Sequence, residues 1–358
     1  MPNQSWKKFT RVRAVALALG ASALTAGVAF ADPVRILESG SSLLYPVFNL
    51  WVADYGKTHP DVQIVPQAGG SGQGIAQSIA GIVQIGGSDA YLSDNQMTQN
   101  PGMLNIPLAI SSQTVDFNIP GWPAGKRMVL SGPVLAGIYM GAIKTWNDPA
   151  IAALNPGAPL PANPIVTIHR AEGSGDTFLF TQFLTTSAPS VWTLHYGPTV
   201  NWPALPGATG ANGNAGMVST AKTVPYSIIY VGISYRSQAG QAGLHEAALV
   251  NQAGKAVVSS PATVLAAVGA TVAKTPKDER VSLIFGPGAN AYPIINYEYA
   301  IVKQAQPSPD VATALKTFLN WAISPAGGNA PATLSQAQFT PLPAAVRTMS
   351  VGQINSIH

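Results

Sequence analysis

The sequence contains no cysteine and few charged residues. Of its 358 residues, 9% are charged and 47% are apolar. The lack of cysteine excludes disulfide bonds, thiolate metal sites, a cysteine nucleophile and a lipidated N-terminal cysteine. The apolar content is sufficient for a folded core rather than charge-driven disorder, and the length corresponds to about two domains.

The excess of basic over acidic residues is confined to the N-terminus. The formal net charge is +4, but Lys7, Lys8, Arg11 and Arg13 lie in a segment without acidic residues. Removing these four from the 19 basic residues leaves 15, equal to the 15 acidic residues. The neutral remainder gives no support to a nucleic-acid or anionic-membrane partner.

The N-terminal segment predicts a secretory signal peptide. An apolar stretch at 14–30 follows the basic start, and the small-x-small tripeptide ending at Ala31 precedes Asp32. We expect cleavage after Ala31 and export of a soluble product to a bacterial periplasm. The alternative is that this segment is an uncleaved membrane anchor. No later stretch of the sequence has 18 consecutive apolar residues.

Recognisable catalytic and metal-binding patterns are missing from the sequence. The five histidines are scattered without metal-ligand spacing, and no serine lies in a G-x-S-x-G turn. Paired carboxylates at hydrolase spacing are not recognisable either. We therefore expect no metal, no cofactor and no enzymatic reaction.

Short strand-like runs alternate with helix-like stretches, which predicts βα units and a mainly parallel sheet. The first unit is a strand at 34–37, a turn at 40–42 and a helical face formed by Leu43, Leu44, Val47, Phe48 and Trp51. Further predicted elements are a strand at 62–64, a helix marked by Ile75, Ile79 and Ile82, a helix at 134–139, a strand at 165–168, a helix with Leu179, Phe180, Phe183 and Leu184, a surface loop at 197–216 and a helix at 311–321.

Three loops rich in glycine and serine each precede a predicted helix. They contain Ser42, Ser71 and Ser174. A helix N-terminus exposes free N–H groups and the positive end of the helix dipole, and glycine lets an anion approach the backbone. Three such ends are suited to surrounding one tetrahedral oxyanion. Alternatively, each serine is an ordinary helix cap.

Two charged residues beside these loops are candidates for the same site. Arg170 offers charge-assisted, bidentate hydrogen bonds to an oxyanion, and Glu172 is placed to hold its guanidinium. Asp89 follows a strand and a Gly-Gly-Ser run. The alternatives are a surface arginine for Arg170 and a turn or cap carboxylate for Asp89.

A set of motifs resembles the periplasmic phosphate receptors of bacterial ABC transporters. The motifs are GSSLLYP at 40–46, GSGQGI at 70–75, GSDA at 87–90 with LSD at 92–94, KTWNDPAI at 144–151, LNPG at 154–157 and RAEGSGDTF at 170–178. They occur in the order of that family over most of the chain. The resemblance implies a type II periplasmic-binding fold, with two α/β lobes joined by two crossing strands and the ligand in the cleft between the lobes.

The resemblance also implies lobe boundaries. The crossing strands are expected near residues 115–118 and 292–295. The first lobe then comprises 32–114 and 296–358, and the second lobe comprises 115–295.

The implied binding residues follow from their positions in the matched motifs. They are Ser42, the backbone of Leu43, Ser71, Asp89, Arg170, Ser174 and the N–H groups of Gly175 and Asp176. Two of them depart from the family pattern. Asp176 stands where some relatives have threonine, and its carboxylate would repel an anion unless it accepts a ligand proton. Leu43 replaces a phenylalanine, which matters little if its N–H makes the contact.

The resemblance implies a monomeric, non-enzymatic receptor that captures inorganic phosphate by lobe closure. It would deliver the ion to a membrane permease with a cytoplasmic ATPase. Asp89 favours phosphate over sulfate, because a carboxylate accepts a hydrogen bond from an oxyanion that still carries a proton. The alternatives are a receptor for another oxyanion such as sulfate, a secreted phosphoester hydrolase with the same anion pocket, and an exported adhesion or structural protein.

Overall fold

Helices and strands alternate along most of the chain. The computed structural model describes residues 32–358, and the predicted signal peptide at 1–31 lies outside these described residues. The strands are β1 (Val34–Gly40), β2 (Val62–Val65), β3 (Ile85–Ser88), β4 (Met103–Asn118), β5 (Val129–Leu130), β6 (Val166–Arg170), β7 (Thr209–Ala211), β8 (Ser227–Gly232), β9 (His245–Glu246), β10 (Ala248–Val250), β11 (Ala256–Val257) and β12 (Ile295–Lys303).

The helices vary from one turn to about four. They are α1 (Tyr45–Tyr55), α2 (Ser71–Ile79), α3 (Asp94–Gln99), α4 (Gly132–Tyr139), α5 (Pro149–Leu154), α6 (Gly175–Ser187), α7 (Gly213–Thr223), α8 (Arg236–Gln241), α9 (Pro261–Gly269), α10 (Pro309–Ala322), α11 (Pro331–Leu334) and α12 (Ala344–Asn355), with short 3₁₀ helices at Ile233–Tyr235, Val272–Lys274 and Ser335–Ala337. Within residues 32–358, no helix combines the length and the apolar character needed to cross a bilayer. The predicted mixed α/β class is confirmed.

Nine strands form one sheet whose two halves share β4. The strand order is β2-β1-β3-β12-β4-β8-β6-β7, and β9 also pairs with β4. The outer strands are parallel to each other in both halves, whereas β4 and β12 pair antiparallel with their neighbours. We call β2, β1, β3 and β12 the first half, and β8, β6, β7 and β9 the second half. A separate small sheet has the order β11-β10-β5.

Strand β4 changes its partner in mid-course. It pairs with β12 from Met103 to Ser112 and with β8 from Gln113 to Asn118. Residues Pro33–His358 form one compact unit. The lobe boundaries expected from the sequence remain a prediction.

Helix α1 shows why the apolar pattern of the first unit predicted its packing. The side chains of the predicted face, Leu43, Leu44, Val47, Phe48 and Trp51, are all fully buried. The indole N–H of Trp51 donates to the carbonyl oxygen of Gly328 at 2.8 Å, so the polar atom of this buried ring is satisfied. The helix therefore packs as the spacing of its apolar residues predicts.

Two local predictions are wrong. Helix α2 ends at Ile79, and Ile82 is 60% exposed because Gly81, with a φ of 73°, turns the chain away before it. The predicted surface loop at 197–216 contains β7 and the start of α7, where Asn214 is fully buried. Its glycine residues precede a helix, as do those of the three loops described above. In addition, β6 extends two residues beyond the predicted strand and ends at Arg170.

Gly40, the last residue of β1, lies so close to the backbone of β3 that no side chain fits at this position. Its φ is 145°, and a Cβ atom built on it would lie 2.0 Å from the carbonyl oxygen of Gly87. The N–H of Ser41 donates to this same oxygen at 2.8 Å. The turn after β1 thus depends on glycine for both its backbone angle and its close approach to β3.

We expect Gly40→Ala to lower the free energy of unfolding by about 3 kcal/mol or more, because the strand edge must separate to admit the methyl group. Gly240→Ala is the control, since no atom lies within 4 Å of the added Cβ on that helix. The control should change stability by less than about 1 kcal/mol. Chemical denaturation measures both variants, and equal effects would contradict the steric argument.

Candidate functional site

The three glycine- and serine-rich loops converge, but their serines have different roles. Ser174 caps α6, with its Oγ accepting from the Thr177 N–H at 3.3 Å. Ser71 is the first residue of α2, and its Oγ accepts from the Asp89 N–H at 3.1 Å. The cap interpretation therefore applies to Ser174, whereas Ser71 links its helix to the end of β3.

Ser41, rather than the predicted Ser42, supports the start of α1. The N–H groups of Leu43 and Leu44 both donate to Ser41 Oγ at 3.1 Å. The Ser41 hydroxyl in turn donates to the Asp89 carboxylate. The Leu43 N–H, expected to be a ligand donor, thus has an internal partner, and Ser42 is free to interact with the second half.

Arg170 lies at the centre of the residues brought together from both halves. Its side chain is 1% exposed. Its Nε donates to Glu172 at 2.7 Å, its Nη1 donates to Asp176, and its Nη2 donates to Glu172 and, at 3.3 Å, to Ser42. Glu172 therefore holds the guanidinium as the sequence predicts, and the surface interpretation of Arg170 is wrong.

Opposite charges overcome the cost of burying Arg170. Burial alone lowers the pKa of the guanidinium, but Asp176 and Glu172 outweigh this effect and raise the pKa. Burial likewise raises the pKa of Glu172, but Arg170 more than compensates and lowers it. The three groups form a charged cluster with one positive and two acidic members.

The Asp176 carboxylate points inward and is fully hydrogen-bonded. Its Oδ2 accepts from Arg170 Nη1 and, at 2.7 Å, from Asn214 Nδ2, while its Oδ1 accepts from Gln113 Nε2 at 3.0 Å. The backbone carbonyl of Asp176 also accepts from Gln113 at 2.9 Å. Asp176 thus gathers donors from β4, β6 and α7.

Asn214, which was not predicted from the sequence, links the two halves. Its N–H and Nδ2 both donate to Ser42 Oγ at 3.0 Å, and its Oδ1 accepts from the Gly232 N–H at 2.8 Å. The glycine- and asparagine-rich run before α7 carries the same signal as the other three loops. Gln113 was also missed, because a buried polar residue within a long strand has no local signature.

Asp89 is buried beside this cluster. It is 2% exposed, and its Oδ1 accepts from Ser41. Burial and then the nearby Asp176 together raise the pKa of Asp89 to about 7, against the opposing hydrogen bonds of Glu298 and Ser41 and the positive charge of Arg170. The carboxyl faces the second half, so the turn-cap interpretation does not describe it.

Glycine backbone forms the contact between the two halves. The Gly72 N–H donates to the Gly173 carbonyl at 2.9 Å. A Cβ atom built on Gly175 would lie 2.4 Å from Asp89 Oδ2 and 2.4 Å from Ser71 Oγ. The loop before α6 therefore fits against Asp89 because residue 175 has no side chain.

The chemistry of the site is that of an anion-binding site. Hydroxyl, guanidinium, amide and helix N-terminal N–H donors come together from the two halves, and the carboxylates of Asp89, Asp176 and Glu172 are the acceptors among them. Among residues 32–358 no three histidine or carboxylate groups are placed to hold a metal ion.

Comparison with known proteins shows what the chain is related to. Residues 27–326 match the model of the PBP superfamily domain. The chain is 32% identical to phosphate-binding protein PstS of Methanocaldococcus jannaschii over 91% of this chain and 87% of that protein. It is 33% identical to phosphate-binding protein PstS of Pasteurella multocida over 86% of both. The chain belongs to this family of phosphate-binding proteins.

A solved structure of a phosphate-binding protein has the same fold as this chain. The phosphate-binding protein from Stenotrophomonas maltophilia is 21% identical with a TM-score of 0.68. The alignment covers 89% of this chain and 93% of that chain. The resemblance stated from the motifs and the two-lobed type II fold are confirmed.

We expect Asn214→Asp to destabilise the protein by about 2 kcal/mol at pH 7.5, because it replaces a donor to Asp176 by a second buried carboxylate. The folded-state pKa of the new carboxyl lies above its unfolded value. The cost is therefore largest at high pH and shrinks as the pH falls and the group is protonated. Thermal unfolding at pH 7.5 and 5 measures this, with the exposed Asn201→Asp as control. A pH-independent difference would contradict the proposed contact.

Proposed function

We propose that this chain captures inorganic phosphate in the periplasm and delivers it to the permease of an ABC transporter, without catalysing a reaction. Its relatives from M. jannaschii and P. multocida are phosphate-binding proteins, and the similarity extends over most of their length. The observation that carries the proposal is the buried Arg170, which sits among donors from both halves of the sheet. These observations do not favour a hydrolase, an adhesion protein or a receptor for another oxyanion.

The proposed ligand contacts come from both halves. The first half supplies Ser42, Ser71, Asp89 and the Leu43 N–H, which would exchange Ser41 Oγ for the ion. The second half supplies Arg170, Ser174 and the N–H groups of Gly175 and Asp176. The last two groups belong to the first turn of α6, where N–H groups lack partners within the helix. We place the ion between this helix end and the loop after β1.

Asp89 selects for an oxyanion that carries a proton. A carboxylate offers lone pairs and no donor, so it accepts from the hydroxyl of phosphate and repels sulfate, which has no proton at neutral pH. In comparable sites, such a mismatch of buried hydrogen-bonding groups weakens binding of the wrong ligand by about 10⁴-fold or more. Asp89 therefore supports phosphate as the ligand.

Asp176 competes with the ligand for donors. Its carboxylate holds Arg170 Nη1 and Asn214 Nδ2, which an oxyanion would also use. Phosphate takes over these donors, and Asp176 then accepts a second ligand proton. Monobasic phosphate carries two protons, one for each carboxylate, so binding extends to mildly acidic pH.

Lobe closure brings the two groups of donors to one ion. The first lobe (32–114 and 296–358) and the second lobe (115–295) each supply part of the contacts. Closure brings the two lobes together at the glycine loops. A ligand that bridges both lobes stabilises the closed form in proportion to its extra contacts there. We propose that a monomer with its signal peptide removed after Ala31 presents this closed form to the permease.

We expect Arg170→Ala to weaken phosphate binding by about 2–5 kcal/mol, because a desolvated charge-assisted contact is lost. Arg170→Lys should restore part of the affinity, since a single ammonium lacks the bidentate geometry. Calorimetric titration with phosphate and with sulfate, after bound phosphate has been removed by unfolding and refolding, measures this.

The exposed Arg35→Ala on β1 is the control for that experiment and should bind as the parent does. Native mass spectrometry of the purified parent protein should show one retained phosphate. Unchanged affinity in Arg170→Ala would remove this residue from the site. A parent protein that binds sulfate and not phosphate would overturn the proposed function.

We expect Gly175→Ala to prevent closure, because its methyl group would occupy the space of Asp89 Oδ2 and Ser71 Oγ. Gly173→Ala is a matched control in the same loop, since the nearest atom to its Cβ, Gly72 Cα, lies at an ordinary 3.4 Å. Small-angle scattering should show phosphate reducing the radius of gyration of the parent and of Gly173→Ala, but not of Gly175→Ala. Equal compaction in all three would refute the role of this contact.

A further inference from the structure

A second buried carboxyl lies directly behind Asp89. Strands β3 and β12 are antiparallel with Ser88 opposite Tyr299, so the next pair in this register is Asp89 and Glu298. The exposed fractions of Asp89 and Glu298 are 2% and 0%, and each carboxyl group affects the pKa of the other. None of the ligand contacts proposed above involves Glu298.

The two oxygens of Glu298 have different surroundings. Its Oε1 accepts from the Ser111 hydroxyl and, at 2.9 Å, from Asn296 Nδ2. Its Oε2 is buried and, among residues 32–358, has no donor to accept from. A proton on Oε2 satisfies this atom, because it can then be donated to the Asp89 carboxylate.

The strands hold Glu298 in this orientation. Asn296 and Glu298 lie two residues apart and share one face of β12. The pairing of β12 with β4 shifts between Glu298 and Tyr299, which leaves one extra residue in β4 at this point. Asn296 Nδ2 also donates to the Asp89 carbonyl at 3.2 Å, so the same amide contacts both acidic residues.

We propose that Glu298 is a positioning residue for ligand selection: as a neutral acid it donates its proton to Asp89 and keeps Asp89 an anionic acceptor for the ligand's proton. This role rests on the proposed function, in which Asp89 detects the proton of phosphate. Two buried carboxyls in contact do not both ionise, so the pair shares one proton near neutral pH.

The charged groups around the pair favour this distribution of the proton. For Glu298, burial and then the neighbouring Asp89 raise the pKa well above its usual value. For Asp89, the hydrogen bond from Glu298 and the positive charge of Arg170 oppose the rise caused by burial and by Asp176. Glu38 on β1 is a further buried acid, with its carboxyl against Gly87 of β3, and burial raises its pKa to about 8. Helix α2 contributes no titratable side chain.

The loss of this donor would change what Asp89 recognises. Without it, Asp89 takes up a proton at a higher pH and becomes a donor itself. A donor at this position tolerates sulfate, which has no proton to offer. The ratio of phosphate to sulfate affinity therefore reports the protonation state of Asp89.

The experiment compares two replacements of Glu298 by competition titration of phosphate and sulfate between pH 5.5 and pH 8.5. Glu298→Gln keeps an acceptor for Ser111 and Asn296 and a permanent N–H donor to Asp89, so its affinity ratio should stay within about threefold of the parent. Glu298→Met has similar volume but no donor. At pH 7.5 its affinity ratio should fall about tenfold or more, and the pH midpoint of that ratio should rise by about one unit.

Controls and a second readout separate the possible outcomes. Glu279→Met and Glu279→Gln alter another buried glutamate, bonded to Ser350 and Gln353, and should leave the affinity ratio unchanged. Carboxyl carbon NMR of the parent at pH 7.5 should show a protonated Glu298, assigned by its absence in Glu298→Gln, even if Glu298→Met does not fold.

Three results would overturn the role of Glu298. They are an ionised Glu298 in the parent, a Glu298→Met variant with the parent's pH profile, and a Glu298→Gln variant that loses selectivity. A parent protein that does not bind phosphate would instead refute the proposed function, so the two failures are distinguishable.

Discussion

The burial of the Arg170 guanidinium is the interaction on which the site depends. Removing such a charge from water costs several kcal/mol unless acidic partners surround it. Glu172 and Asp176 supply these partners, and Asp176 in turn fixes Asn214 and Gln113. Since these carboxylates already neutralise the guanidinium, an incoming anion adds negative charge to a site with no surplus positive charge. Protons carried by the ligand are therefore part of its binding.

The sequence predicted the residues of the site that lie in continuous loops. Ser42, Asp89 and Arg170 each follow a short strand and precede a helix or turn, so local pattern alone identified them. Asn214 has the same context, but the proline and glycine residues before it obscured the strand and helix that hold it. The sequence also did not show that Ser41 rather than its neighbour supports α1, since both serines are equally close to the helix start.

The interior polar residues were not predictable because they depend on strand register. Gln113 and Glu298 lie in strands that are apolar around them, and each meets its partner from a distant part of the chain. A shift of one residue in the pairing of β12 with β3 would turn Glu298 to the opposite face of the sheet. Alternation of strands and helices predicted the parallel strands β1, β2 and β6, but not β7, β8 or the long antiparallel strand β4 that both halves share.

The position of β12 in the sheet has a consequence for the order of folding. This strand lies between β3 and β4, yet it comes from residues 295–303, far after both in the chain. The strands of the second half, by contrast, are complete by Glu246. The first half is synthesised before the second, but its sheet is completed last, because β12 comes from the C-terminal segment. Such long-range closure slows folding, so the first half of the newly made chain stays open until its last strand has been synthesised.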